Sequence, residues 1–388
     1  MRTQIGIIGS GPAGLLLAHL LHKQGIESVI VERQSREHVE ARIRAGVLEQ
    51  GTVNLLREVG VHARMEREGL PHDGFALAFA GRQERIDMRA QTGKGVMIYG
   101  QTEVTRDLIA ARLAADGVIH FEAPALAVED FVGKQPRIIY EKNGQRHELT
   151  CDFVVACDGY HGIGRKSIGE DKLNLYEKLY PFGWLGILAD VPPVDEELIY
   201  ANHARGFALC SMRSHTRSRY YVQCALDDKV ENWTDDAFWD ELRRRLPPET
   251  AEHLITGPRL EMSIAPLRSF VTEPMRAGQL LLAGDAAHIV PPTGAKGLNL
   301  AASDVYYAAR ALTAFYAENR HDLLDAYSQT CLRRVWKAVR FSWWFTGLMH
   351  KFDNDPISHR LQVAELDYIA SSNAARTSMA ENYVGLPF

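Results

Sequence analysis

The sequence predicts an α/β fold: a layer of mostly parallel strands built from separate stretches of chain, a β-sheet layer interleaved with it, and helices at the C-terminal end. Three observations carry this expectation. The chain opens with an apolar strand, a glycine-rich turn, an apolar helix and a second strand, the order of a βαβ unit. Two more short apolar runs, Phe153–Cys157 and Gln279–Ala283, end beside Asp158-Gly159 and Gly284-Asp285. Between those pieces, residues 176–226 are aromatic and read as strands.

Taken in order, Ile5–Ile8 is a buried strand, Pro12–Lys23 an apolar helix that Gly25 stops, and Val29–Val31 a strand ending at Glu32. Residues 75–100 read as short strands with turns. Residues 102–117 read as a helix with Thr102 as its cap. Arg137–Glu141 is a strand followed by the Asn143-Gly144 hairpin signal. Asp235–Leu246 is a helical patch, and from Gly297 the chain is mostly helical to about Ser371. The expected division is therefore discontinuous: 1–72, 101–175 and 271–335 form a Rossmann-like nucleotide domain, 73–100 and 176–270 a β-sheet substrate domain, and 336–388 a C-terminal helical region.

Composition excludes several classes. The 388 residues carry a net charge of -5, with 46% hydrophobic and 24% charged residues, which is ordinary for a globular protein and lacks the basic face a nucleic-acid partner needs. The cysteine number, five, is odd and no CxxC pair occurs. Neither a disulfide framework nor a thiolate metal site is expected, and a reducing cytoplasm fits. The first strand starts too close to Met1 for a signal peptide, and no apolar run approaches the ~20 residues of a membrane helix.

Gly9, Gly11 and Gly14 form GxGxxG after a strand and at the start of a helix, the context that this fingerprint requires. Gly9 serves the tight turn, Gly11 the approach of a pyrophosphate, and Gly14 the close packing of helix on strand. Ala13 stands where a serine is common, which costs one hydrogen bond at most. The helix N-terminus offers amides and partial positive charge to phosphates, and Glu32 is placed to accept from the ribose hydroxyls.

GxGxxG, the Asp158-Gly159 turn and the Gly284-Asp285 turn, in this order and spacing, resemble the FAD-dependent aromatic hydroxylase family (class A flavoprotein monooxygenases). Further segments extend the resemblance over essentially the whole chain: RIRAGVLEQG at 42–51, YGQTEVTRDL at 99–108, YPFGWLG at 180–186, CSMRS at 210–214, TRSRYYVQ at 216–223, IAPLRSF at 264–270 and ENYVGLPF at 381–388. The resemblance implies FAD as cofactor. Asp285 would bind its ribityl chain, and the amides of Leu298 and Asn299, with Lys296 nearby, would face its pyrimidine. Arg42, Arg44, Ala45, Gly46, Val47, Gln101 and Asp158 would line the same cofactor, and Arg219 would support the flavin and its movement.

The resemblance also implies a hydroxylated benzoate as substrate. Ser211, Arg213 and Tyr221 would clamp its carboxylate, Arg213 by a bidentate charge-assisted pair. Met212 is grouped with that pocket without a chemical role, and Pro292 would lie along the ring. Attack by an electrophilic oxygen is faster on a phenolate, yet a free phenol has a pKa of about 10. Tyr200, Tyr383 and His72 would relay the phenolic proton away, with His72 at the solvent side because histidine titrates near neutrality.

No second GxGxxG occurs, so NADPH or NADH must bind transiently on the surface of the FAD domain. Arg44, His161 and Arg268 resemble the residues that meet it. Arg33, Gln34, Arg36 and His38 occupy the segment that sets NADPH or NADH preference; Arg33 and Arg36 could grip a 2′-phosphate, whereas Glu37 would repel one. NADPH is favoured. The expected reaction converts 4-hydroxybenzoate to 3,4-dihydroxybenzoate with O2. The competing readings are the same chemistry on 4-aminobenzoate or 3,4-dihydroxybenzoate, a flavoprotein reductase, and a non-catalytic dinucleotide-binding protein. A homodimer is expected from the resemblance.

Overall fold

The computed structural model describes residues 1–41, 46–133 and 135–388. Its first layer is a six-stranded sheet in the order Arg276–Ala277, Leu280–Leu282, Phe153–Ala156, Ile5–Ile8, Ser28–Val31, Val118–His120. All neighbouring strands are parallel except the Arg276–Ala277 edge. Parallel strands are covered on both faces, which is why Ile5–Ile8, Ser28–Val31 and Phe153–Ala156 are buried at every position. Ile5 pairs with Phe153 and Ile8 with Ala156, so the glycine turn and the Asp158-Gly159 turn leave the sheet side by side at its carboxyl end. Binding crevices of open α/β sheets form at that end.

The second layer is an eight-stranded sheet in the order His288–Ile289, Arg259–Glu273, Asn174–Ala189, Arg217–Cys224, Ala208–Ser214, Ile199–Ala201, Gly74–Phe79, Arg82–Asp87. Its two faces bury different sets. One carries Phe75, Leu77, Tyr200 and Leu209 against Phe341, Phe345 and Tyr383 from the C-terminal helices. The other carries Ala76, Ile199, Ala208 and Val222 against Phe238 and Trp239 of the helix Asp235–Arg245. Alternation along the strands makes this division. The helix Asp235–Arg245 is capped by the Thr234 hydroxyl, which accepts the Ala237 amide.

The Asn143-Gly144 signal holds: both residues have positive φ, 54° and 72°, and join Arg137–Lys142 to Gln145–Thr150. Two expectations need correction. The helix read as 102–117 spans Gln101–Ala114 with Gly100, not Thr102, at its N-cap. Helical structure does not stop near Ser371 but resumes at Asn373–Val384, capped by the Ser372 hydroxyl. No helix among the described residues is long and apolar enough to cross a membrane.

Candidate active site

The nucleotide end is built from glycines whose missing Cβ atoms matter for different reasons. Gly9 has φ +99°, and a Cβ there would lie 2.5 Å from the Cys157 carbonyl oxygen. A Cβ on Gly14 would lie 2.1 Å from the Gly9 oxygen. A Cβ on Gly11 would meet nothing of the protein within 4 Å, so the room above it lies outside the fold's own packing. Gly11 is also the N-cap of the helix Pro12–Lys23, and no side chain caps it. An uncapped N-terminus fronted by open space is a cradle for a pyrophosphate. Glu32 is held at its rim: one carboxylate oxygen accepts from the Ser10 amide (2.8 Å) and hydroxyl (3.1 Å), the other from the Gln34 amide (2.8 Å). These residues fit a dinucleotide such as FAD.

Asp158 turns inward. Its carboxylate accepts the Gly164 amide at 2.8 Å and caps the helix Ile163–Ile168; a Cβ on Gly162 would overlap it. Burial raises its pKa, against the lowering effect of the amides. Asp285 is exposed on the short turn Gly284–Ala286. Gly284 sits beside both Ala301 and Ala13, which brings this turn against the first helix.

The helix Gly297–Glu318 begins without a side-chain cap. Its first turn is fixed by Asn299, which donates to Val47 O (3.0 Å) and accepts from the Glu49 amide (2.9 Å) and the Thr52 hydroxyl (2.7 Å). Lys296 is buried and donates to Glu49 (2.7 Å) and to the Tyr383 carbonyl (2.8 Å). Burial lowers its pKa, with Glu49 opposing. The second oxygen of Glu49 accepts from Arg334 at 2.9 Å. Gly46 lies against Gly100, next to Gln101 at the start of its helix. Arg42, Arg44 and Ala45 lie outside the described residues.

Strand register assembles the other end. Tyr200 is paired with Leu209, Leu209 with Tyr221, and Tyr221 with Gly186, so these four form one row across the sheet on one face. Tyr200 and Tyr221 are two strand spacings apart, about 10 Å. Ser211, paired with Arg219, belongs to the next row on that face. Arg213 follows Ser211 on the same strand and donates to the Met212 carbonyl at 3.0 Å. Burial lowers the Arg213 pKa, and Tyr221 opposes the shift. Arg219 pairs with Glu261 (3.1 Å) and Ser263 (3.0 Å) and lies over the Tyr221 ring. The Ser211 hydroxyl donates to the Arg219 carbonyl at 2.6 Å. In this arrangement Arg213 and Tyr221 lie together at the end of the row where the expected clamp would be, and Ser211 joins only by turning its hydroxyl.

Tyr200 and Tyr383 meet oxygen to oxygen at 2.7 Å, although they are 183 residues apart in sequence. Phe75 stacks on Tyr383 (4.3 Å) and sits edge-on to Tyr200 (5.7 Å). Burial pushes both phenols above their ordinary range, so each stays protonated and can pass a proton only by accepting another. His72 departs from the expected solvent-side position. It is 2% exposed, neither ring nitrogen has a hydrogen-bond partner, and no bond joins it to either tyrosine. Pairing of Leu70–His72 with Val96–Ile98 draws it inside. Burial brings its pKa down to about 4, against Glu197, Asp195 and Asp73.

His161 and Arg268 converge on Tyr160. The His161 ring lies 4.9 Å from it and the Arg268 guanidinium 4.6 Å, and Arg268 and the Tyr160 hydroxyl both reach Glu177 at 3.1 Å. Arg33, Arg36 and His38 are exposed at the start of the helix Arg36–Ala41, Gln34 is half-buried, and Arg36 pairs with Glu40 at 2.6 Å. Pro292 is exposed and Met212 buried.

The FAD binding domain family matches residues 2–342. The p-hydroxybenzoate hydroxylase of Acinetobacter baylyi (strain ATCC 33305 / BD413 / ADP1) is 57% identical over 390 residues, covering 100% of this chain and 96% of that protein. The chain belongs to the p-hydroxybenzoate hydroxylase family. It is thereby an FAD-dependent monooxygenase, as its glycine fingerprint and two turn motifs together led us to expect. The probable NADH-specific resorcinol 4-hydroxylase of Rhodococcus jostii (strain RHA1) is 25% identical, over 84% of this chain and 61% of that protein. The fold is shared with p-nitrophenol 4-monooxygenase PnpA from Pseudomonas putida DLL-E4, at TM-score 0.82 and 19% identity over 100% of both chains.

Sequence reasoning overlooked several neighbours of these residues. Gly186 is one: a Cβ there would lie 2.7 Å from the Tyr221 ring. Glu49 and Arg334 are others; Glu49 stood inside RIRAGVLEQG, but nothing local to that segment pairs it with residues 296 and 334.

Proposed function

We propose that this chain hydroxylates 4-hydroxybenzoate beside its hydroxyl group, consuming O2, a proton and NADPH or NADH and releasing 3,4-dihydroxybenzoate, NAD(P)+ and water. FAD, when bound, supplies the chemistry that accepts a hydride from the nicotinamide and delivers one oxygen atom of O2 to the ring. The observation that carries the substrate reading is the row from Tyr200 to Tyr221. A hydroxyl-bonding phenol lies at one end, and cationic Arg213 with the Tyr221 hydroxyl lies at the other, about 10 Å away. That span suits one aromatic ring with a hydrogen bond at each end.

The roles follow from the groups present. Arg213 and Tyr221 bind the carboxylate, and the positive charge fixes which end of the ring enters. Tyr200 takes up the phenolic proton while giving its own to Tyr383, with which it shares a 2.7 Å hydrogen bond. His72 receives that proton after a rearrangement that joins it to the tyrosine pair. Gly9, Gly11, Ala13, Gly14 and Glu32 hold the adenosine and pyrophosphate end of FAD. Asp285, Lys296, Leu298 and Asn299 hold the flavin end, and Arg219 supports it. His161 and Arg268 meet the nicotinamide dinucleotide, and residues 33–38 select it, with NADPH favoured. Aromatic packing of Phe75, Tyr200, Phe345 and Tyr383 keeps bulk water from the reacting end.

We assign the discontinuous segments 1–72, 101–175 and 271–335 to the FAD domain and 73–100 with 176–270 to the substrate domain. All five cysteines are free, which suits the proposed cytoplasmic location. A homodimer is supported by exposed Tyr176, Leu179, Trp336 and Trp343.

The test is NADPH and NADH oxidation by the purified yellow protein with and without 4-hydroxybenzoate, with the product identified. Strong stimulation and stoichiometric 3,4-dihydroxybenzoate are expected. Stimulation by 4-aminobenzoate alone, or oxidation without an oxygenated product, would replace the proposal.

A further inference from the structure

We propose that Asp304 and His288 are positioning residues for the flavin: one buried carboxylate fastens both ends of the turn that carries Asp285, and so governs affinity for the flavin half of FAD separately from the adenosine half. The inference rests on the reading that Asp285 faces FAD.

The geometry is specific. Asp304 Oδ2 accepts the Gly284 amide at 2.9 Å and pairs with His288 Nε2 at 2.6 Å. Residues 284 and 288 flank Asp285. The His288 and Asp304 side chains are each 1% exposed, whereas Asp285 between the fastened ends is exposed. Gly284 has φ +61°, and a Cβ there would lie 3.2 Å from that of Ala301, so the turn lies directly on the helix Gly297–Glu318. On its other side the turn is pinned to the eight-stranded sheet, because His288 pairs with Val271 of the strand Arg259–Glu273.

A buried charge pair is costly to assemble, and apolar residues of similar size often stabilise a core as well or better. A neutral group would also satisfy the single Gly284 amide. What the carboxylate adds is direction: two charge-assisted bonds to fixed points leave the turn one position. Burial opposes charge on His288, but Asp304 and then Asp285 hold its pKa above the ordinary histidine range. Asp304 also follows Leu298 on the same helix by about 9 Å of axial rise. The turn facing the ribityl chain and the amides facing the pyrimidine therefore belong to one rigid piece.

The experiment uses apoprotein prepared from the purified holoenzyme. FAD dissociation constants are measured by fluorescence quenching, and ADP constants by calorimetry, since ADP reads only the Gly9–Glu32 end. Asp304→Asn, nearly isosteric, should raise the FAD constant about tenfold or more while leaving the ADP constant within about twofold. His288→Asn should give the same split and carries the test if Asp304→Asn does not fold. An unchanged FAD constant, or FAD and ADP affinities falling together, would overturn the proposal. Wild-type apoprotein that binds ADP but not FAD would instead remove the cofactor reading beneath it.

Discussion

At Tyr200 the hydroxyl is the whole functional content, because the ring is already locked by Phe75, Phe345 and Tyr383. Tyr200→Phe keeps that packing and removes the proposed first proton acceptor. Hydroxylation turnover should fall on the order of 10²-fold, the usual worth of a positioned acid–base group, with 4-hydroxybenzoate binding changed little; equal product yield per NADPH would refute the role. Gly186 makes the complementary case. Its row partner Tyr221 occupies the place of a side chain, so Gly186→Ala forces the Tyr221 ring and the neighbouring Arg219 to shift. The KM for the benzoate should rise about tenfold or more, since each tenfold is ~1.4 kcal/mol of lost binding. An unchanged KM would show that Tyr221 does not touch the substrate. The role of Tyr200 was legible from the family resemblance, but the effect at position 186 was not, because a glycine in YPFGWLG has no visible partner until the strands pair.

Among the elements, those with a local cause were legible and those with a distant cause were not. The strand–turn–helix at residues 5–23 was legible because the glycine pattern and the apolar helix state the same answer. The start of the long helix at Gly297 was legible for a similar reason. The helix Asn373–Val384 was not: it buries little beyond Met379, Ala380, Tyr383 and Val384, so no apolar stripe marks it. The inward seat of His72 was equally hidden, since it follows from pairing with Val96 across the chain. The short helix Arg36–Ala41 carries the prediction for this scale. Glu37 lies in its first turn, fully exposed, with its pKa lowered by its own backbone amide and the Ser35 hydroxyl, so it is ionised at neutral pH beside Arg36. Glu37→Gln removes a repulsion for a 2′-phosphate while keeping the helix. The ratio of kcat/KM for NADPH over NADH should rise several-fold. A constant ratio would place cofactor selection elsewhere.

The whole molecule has a predictable response to acid. His72 has a folded pKa of about 4 against 6.5 for the free side chain, because burial disfavours its charged form. Above pH 6.5 both states are neutral and the group is silent. Between pH 6.5 and 4 the unfolded chain binds the proton and the fold does not, so stability falls as pH falls through that window and levels off below it. The loss is on the order of a few kcal/mol, at ~1.4 kcal/mol per pKa unit. His350, also buried and lowered to about 3, adds to the same limb, so His72→Asn should lessen the slope of the stability profile between pH 6.5 and 4 in urea titrations; identical slopes for the two proteins would mean that His72 does not contribute.

Association is the other property of the whole chain. Tyr176 (46% exposed), Leu179 (63%), Trp336 (38%) and Trp343 (49%) remain accessible in the single chain. Tyr176 packs edge-on against Trp336 at 5.3 Å, and Lys178, on the same face of the strand, lies over the Trp343 ring at 5.8 Å, so Tyr176, Trp336 and Trp343 belong to one surface, with Leu179 on the strand's other face. Monomers rarely leave large aromatic patches wet, and tryptophan and tyrosine are the residues that dominate interfaces when they become covered. In a two-fold dimer the same patch faces itself, which makes a single substitution act twice. Trp343→Arg should therefore shift the protein from dimer to monomer in sedimentation at micromolar concentration while leaving FAD bound. A wild-type chain that sediments as a monomer would remove the proposed dimer, and a variant that stays dimeric would move the interface away from this surface.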